Sequence, residues 1–182
     1  TEKKNLARLD ELYVKFNLGK SAIRVGRMDI NRGPLFLRRD GRMRPFVYRG
    51  AWLELNEIEN HKITLGWIDG ASGRPNTDWY SLNQSIGMNG NGFQPDGTKA
   101  SYHTTSNIHG IGVFGYQNSS IKNLKLSIWN FYFQNQFDLL WLQADYEGTH
   151  LLAGLQYAQQ ETLDYQTKLS YENRYVQPEN HG

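Results

Sequence analysis

Apolar residues recur at every second position along most of this chain, from Leu12-x-Val14-x-Phe16-x-Leu18 to Leu151-x-Ala153-x-Leu155-x-Tyr157. A period of two puts successive side chains on opposite faces of an extended backbone, so these segments predict strands. The pattern predicts them at 8–18, 20–28, 46–57, 61–69, 108–117, 121–133, 137–147, 149–159 and 164–175. The alternate positions are polar: Arg24 sits between Ile23 and Val25, Glu54 between Leu53 and Leu55, Gln143 between Leu142 and Ala144. A polar face repeated on strand after strand has two readings. It is the outside of a soluble antiparallel sheet, or the water-filled inside of a barrel whose outside meets lipid.

Segment length and connectors favour the barrel. The segments run 9–13 residues, nearer a tilted membrane-spanning strand than the roughly 5–6 residues of a typical soluble one. Tight turns at Leu18-Gly19-Lys20, Glu57 to Asn60, Gln117 to Ser120 and Glu147-Gly148 alternate with other connectors. Those at 29–45 and 70–107 are long; Gln134-Asn135-Gln136 and Gln160 to Leu163 are shorter. Short turns at one end and mostly longer loops at the other match outer-membrane barrels. The 70–107 stretch is rich in Gly, Asn and Ser; a loop of that length counts against a compact soluble domain, so it is expected on the external face.

On this reading the lipid-facing positions are Leu12, Val14, Phe16, Ile23, Val25, Leu53, Leu55, Ile63, Leu65, Leu124, Leu126, Ile128, Leu140, Leu142, Leu151, Ala153 and Leu155. Trp67, Tyr116, Tyr132, Phe133, Tyr171 and Tyr175 lie near strand ends, where membrane barrels carry aromatic girdles. Trp129 and Trp141 fall on the polar side, so they are expected to face the lumen or an inward-folded loop.

Composition narrows the class. The 182 residues fit one domain and carry a net charge of +2. Mean hydropathy is well below zero, and no apolar stretch approaches the roughly 20 residues of a spanning helix, which leaves the β-barrel open. Aromatics at 13% and 18 glycines suit β-structure. The chain opens Thr1-Glu2-Lys3-Lys4 without an initiator Met or an apolar leader, as expected of a piece of a larger precursor or a processed chain. Without Cys there is no thiolate metal site, and the five His form no His-x-x-x-His pair. No Gly-x-Ser-x-Gly elbow or phosphate-binding Gly loop occurs either. Carboxylates such as Asp69 and Asp78, or Asp145 and Glu147, lie close in sequence by the chance expected in any charged β-protein. The expectation is a protein without catalytic activity and without a cofactor.

The charged constellation lies at 31–46, where Arg32, Arg38, Arg39, Arg42 and Arg44 accompany the single acid Asp40, with Arg24 just before on an inward-facing strand position. A net charge of only +2 and the lack of a recognition helix argue against nucleic acid. A solvated basic loop is one reading. The sharper one is a constriction loop, because guanidiniums in a narrow aqueous channel attract anions and pair with carboxylates. Pro34-Leu35-Phe36-Leu37 is too apolar to sit free in water, so it is expected to anchor the 29–45 loop to the inner wall. The candidate solute-path residues are Arg24, Arg38, Arg39, Asp40, Arg42, Arg44, Tyr48 and Glu54, with some of the four loop arginines Arg38, Arg39, Arg42 and Arg44 bonded to wall carboxylates such as Glu54.

These residues resemble a known family. Leu12-Tyr13-Val14-Lys15-Phe16, Ile23-Arg24-Val25-Gly26-Arg27, Pro34-Leu35, Asp40-Gly41-Arg42-Met43-Arg44-Pro45 and Phe46-x-x-Arg49-Gly50 look like the OprD-like outer-membrane porins. In that family a strand ending in Gly-Arg leads into a loop with an Asp-x-Arg-x-x-Pro-type signature. The Ile121 to Phe133 segment followed by Phe137-Asp138-x-Leu140 is also similar. The resemblance implies a monomeric or trimeric barrel of about 18 strands in the bacterial outer membrane, passive uptake of small solutes, and an arginine track that guides carboxylates. Its partners would be outer-membrane lipids and small solutes, with a homo-oligomer or larger outer-membrane complex compatible. Such porins are about twice as long, and nine strands is an odd number where single-chain bacterial barrels close on an even one. The chain is therefore expected to be an incomplete stretch of a larger antiparallel transmembrane β-barrel. The alternative is a soluble all-β carbohydrate-binding domain that uses Trp79 and Tyr80.

Overall fold

The computed structural model describes residues 9–30, 32–36, 46–73, 79–85 and 107–163. They form one antiparallel sheet in which each long strand pairs with the next. Its strands are β1 (Leu12–Leu18), β2 (Ser21–Met28), β3 (Val47–Leu55), β4 (His61–Ser72), the two-residue β5 (Tyr80–Ser81), β6 (Ile111–Asn118), β7 (Leu124–Phe133), β8 (Phe137–Glu147) and β9 (Leu152–Thr162). The hydrogen-bonded order is β1-β2-β3-β4-β6-β7-β8-β9, with β5 on the end of β4 and one helical turn, α1 (Leu82–Ser85), following it. Among the described residues β1 and β9 each have one neighbour, so the sheet is an open arc of an incomplete barrel. The strand expected at 164–175, with Tyr171 and Tyr175, lies outside the described residues.

Turn chemistry accounts for the tight ends. Gly19, at φ +60°, starts the two-residue connection from β1 to β2, a left-handed position open to glycine at little cost. Asn60, Asn123 and Asn135 adopt φ of 63°, 64° and 60° in the three turns after β3, β6 and β7, and Asn tolerates this region better than most side chains. Several boundaries differ from the alternation pattern. β4 runs on to Ser72, and β5 and α1 occupy part of the expected 70–107 loop. The turn between β6 and β7 spans 119–123 and is closed by Leu124 N–H to Ile121 O at 3.1 Å. β9 starts at Leu152, because Gly148 N–H bonds Leu151 O at 2.8 Å and draws 149–151 into the turn. Alternation could not place that boundary, since Leu151 and Leu152 are both apolar.

The two faces differ in kind. One presents Leu12, Val14, Phe16, Val25, Leu65, Phe114, Ile128, Leu155 and Tyr157 exposed, and Ile23, Leu53, Leu55, Ile63, Leu124, Leu126, Leu140 and Leu142 partly exposed. None of the side chains expected to face lipid is buried. Monomeric soluble proteins rarely leave an apolar belt across a whole sheet in water, whereas a bilayer covers it at no cost. The opposite face is the inside. Its short-turn half is polar, with Arg24, Glu54, Lys62, Gln117, Lys125, Gln143 and Asp145 at alternate positions. Its loop-side half is apolar and buried: Met28, Trp52, Ile68, Val113, Trp129 and Phe131 pack with Ile30, Leu82 and Ile108 of the connectors.

Candidate functional site

Residues 32–36 leave β2 and cross the buried half of the inner face. Gly33 takes φ +98°, and a Cβ there would lie 3.2 Å from Trp129 Cζ3, so the backbone runs against the indole. Three residues on, the Phe36 ring meets Tyr48 edge-on at 5.1 Å and Trp52 edge-on at 5.4 Å, and tilts against Phe131 at 5.9 Å. All three partners come from inward positions of β3 and β7. Aromatic pairs of this geometry contribute about 0.5–1.5 kcal/mol each beyond the area they bury. Phe36 thus fastens residues 32–36 to the wall.

Below this box the strand register builds an ion cluster. Arg24 lies opposite Trp52 across β2 and β3, and Glu54 follows Trp52 by two residues on the same face. Glu54 Oε1 accepts from Arg24 Nη2 at 3.2 Å and from Trp52 Nε1 at 3.1 Å, while its Oε2 meets Arg32 Nη1 at 3.1 Å. The Glu54 side chain is 15% exposed and that of Arg32 48%. The pair is therefore shielded on the wall side and open toward the lumen, where screening by water is stronger. One carboxylate is shared by two guanidiniums, which leaves a single net positive charge. Further along the inner face Trp141 Nε1 donates to Gln143 Oε1 at 3.4 Å, and Gln143 Nε2 to Asp145 Oδ2 at 2.8 Å. These bonds hold a polar wall in place.

Of the candidate solute-path residues, the structure brings Arg24 and Glu54 together at 3.2 Å. Tyr48 belongs to the aromatic box, beside Phe36 and, at 5.1 Å, Phe46. Arg38, Arg39, Asp40, Arg42 and Arg44 lie outside the described residues. Two members of the cluster were not among the candidates. Arg32 opens the basic segment a few residues after β2, a short tether that keeps it over the strand it left; Trp52 sits two positions from Glu54, the spacing that places two strand residues on one face. Elsewhere the chemistry suggested by sequence is used structurally. Asp69 pairs with Arg49 at 2.7 Å, at the bulge that leaves Asp69 without a partner on β3. Trp79 donates its indole N–H to Leu9 O at 3.2 Å and lies 4.8 Å under the Arg27 guanidinium. Among the described residues no group of three or more His, Asp or Glu is placed to hold a metal ion.

Comparison with known proteins gives a consistent result. A family model described as outer membrane porin, OprD family, matches residues 1–177. No curated protein is significantly similar in sequence. The sheet superposes on solved Pseudomonas aeruginosa structures. OccD3 (OpdP) matches with a TM-score of 0.68 and 14% identity, covering 86% of this chain and 36% of that one. OccK8 (OprE) gives 0.65 and 17%, covering 82% and 36%, and OpdK, solved with vanillate, gives 0.61 and 16% over the same shares. This chain therefore spans little more than a third of the length of those structures.

Proposed function

Because the chain belongs to the OprD family of outer membrane porins, we propose that it forms part of the wall and the constriction of a passive channel for small solutes, with preference for anionic or carboxylate-bearing ones. In this reading residues 29–45 fold inward as the constriction loop, and the connector expected at 70–107, less the 70–72 end of β4, stays on the external side. Arg38, Arg39, Arg42 and Arg44 extend the positive charge begun by Arg24 and Arg32, and Asp40, Tyr48 and Glu54 complete the path. The whole barrel has about 18 strands, and the reading assigns it no catalytic step.

The observation that carries the proposal is the placement of Arg32, Gly33 and Phe36 on the inner face, with Arg32 sharing Glu54 with Arg24. A segment fastened there supports a path over the inner face for the arginines that follow it. Guanidiniums in a narrow aqueous passage raise the local concentration of anions and pair with carboxylates through two parallel hydrogen bonds. OpdK was solved with vanillate, an aromatic carboxylate, and we extend that solute class to this chain as the one to test. The experiment is a reversal-potential measurement on the full-length protein in a planar bilayer under a salt gradient. Changing both Arg42 and Arg44 to Ala should move selectivity toward cations, and the shift should shrink as salt shortens the Debye length to about 8 Å at physiological strength. An unchanged reversal potential would reduce these arginines to scaffold.

A further inference from the structure

On the loop side of the Arg24–Glu54–Arg32 cluster, the inner face holds a partly open cavity of about 300 Å³. Phe36, Tyr48, Phe131 and Phe133 supply aromatic walls, and Ile108 closes the cavity from the connector that precedes β6. An apolar cavity of roughly 150 Å³ already takes benzene, so this one has room for a ring with a substituent.

The lining contains one group that does not belong in an apolar wall. Gln136, in the turn between β7 and β8, has no exposed surface, and among the described residues neither its Nε2 nor its Oε1 has a hydrogen-bond partner, so a molecule in the cavity pairs with the amide once the side chain turns toward it. Its backbone cannot swing away, because Gln136 N–H bonds Phe133 O and Leu163 N–H bonds Gln136 O, both at 3.0 Å. A buried amide left without partners is unfavourable, and a molecule that satisfies it gains that free energy on binding. The amide offers donors and an acceptor side by side. A carboxylate accepts from Nε2 but leaves Oε1 without a donor, and it brings a charge into an apolar wall. A ketone satisfies Nε2 alone. A primary carboxamide pairs with both atoms.

We propose that this cavity binds a single-ring aromatic or heteroaromatic carboxamide, its ring among Phe36, Tyr48, Phe131 and Phe133 and its amide paired with Gln136. It is an uncharged station on the loop side of the arginines. The assignment deepens the channel reading and rests on it, since the solute enters from the lumen.

The test is ligand-observed NMR titration of the full-length protein in detergent with benzamide, benzoate and acetophenone, of which only the first can satisfy both atoms of Gln136. Benzamide should bind at least about tenfold more tightly than either other compound, and Gln136→Leu should abolish that advantage while leaving acetophenone within about twofold. Leu35→Trp, which fills the cavity from its exposed rim, should weaken all three. The proposal is overturned if benzamide binds no better than acetophenone, the result expected if water alone satisfies Gln136, or if its advantage survives in Gln136→Leu. Should Gln136→Leu not fold, the ranking of the three compounds and the Leu35→Trp variant decide. Single-channel conductance of the same preparation separates the two readings. A conducting channel with no preference for benzamide refutes the cavity assignment alone. Failure to conduct refutes the channel reading, and the titration still judges the cavity.

Discussion

Trp52 lies flat across Gly66, its partner in register on β4: a Cβ on Gly66 would fall 2.5 Å from Trp52 Cε3. The same relation recurs on the inner face between Trp129 of β7 and Gly115 of β6, again at 2.5 Å. In each pair the indole takes the space a side chain would fill. This lets two large aromatics lie along the wall instead of projecting into the lumen, and it turns their upper faces to Phe36 and Gly33.

Gly66→Ala and Gly115→Ala should therefore displace an indole that has nowhere to go, since Trp52 and Trp129 are both buried. We expect each to destabilise the barrel by about 1–3 kcal/mol, the usual result of overpacking. Gly66→Ala should also lengthen the Trp52–Glu54 hydrogen bond. Gly112→Ala is the control, because its Cβ would meet nothing nearer than Tyr132 Cβ at 3.6 Å. Urea unfolding of the three variants from lipid vesicles checks the ranking; equal losses would remove the special role of the indole–glycine pairs.

The exposed apolar belt makes a second prediction. Ile128 is in the middle of β7 on the lipid side, between Tyr116 and Leu142 in register. Ile128→Arg should cost about 2–4 kcal/mol, as a guanidinium near the bilayer midplane does. Gln156→Arg, on the inner face of β9 opposite Gln143, should be close to neutral because water already reaches that side. Folding free energies in vesicles decide, and similar penalties at both positions would contradict the assignment of faces.

Phe36 tests the fastening of residues 32–36. Its ring fills a box formed by Tyr48, Trp52 and Phe131, and it is only partly buried. Phe36→Ala should therefore cost less than a fully buried Phe, about 1–3 kcal/mol. The functional signature is sharper. Loss of the ring frees the segment that carries Arg32, so single-channel recordings should show added current noise and short closures, while Phe36→Leu should stay near wild type. Quiet channels from Phe36→Ala would mean that the Arg32–Glu54 contact suffices.

How much of this was legible follows from the range over which each interaction acts. The faces of β2 and β3 could be read because Arg24 and Glu54 each sit between two aliphatic residues, and a period of two is a local property. The loop-side half of the inner face could not. There Trp52, Val113, Trp129 and Phe131 alternate with the equally apolar Leu53, Phe114, Ile128 and Tyr132, so the run is apolar on both sides and does not tell lipid from packed connector. The apolar Pro34-Leu35-Phe36-Leu37 stretch hinted that something covers it. The partner of Glu54 was less accessible still, since Arg32 reaches it through the path of a loop rather than through strand register.

The shared carboxylate supplies the last prediction. Glu54 holds Arg24, Arg32 and the Trp52 indole at once, so it withdraws one unit of positive charge from the inner face and also fixes where two guanidiniums point. Glu54→Gln keeps the shape and one acceptor but removes the charge. Two effects should follow, and they are separable. The net charge of the cluster rises by one, so reversal potentials should move further toward anions, most strongly at low salt where the Debye length is longest. The guanidiniums, losing a charged partner, should also weaken the fold by about 1–3 kcal/mol. Glu54→Asp, which keeps the charge on a shorter arm, should restore the selectivity without fully restoring stability. If Glu54→Gln lowers stability but leaves the reversal potential unchanged at every salt concentration, the cluster holds the loop and lies off the ion path.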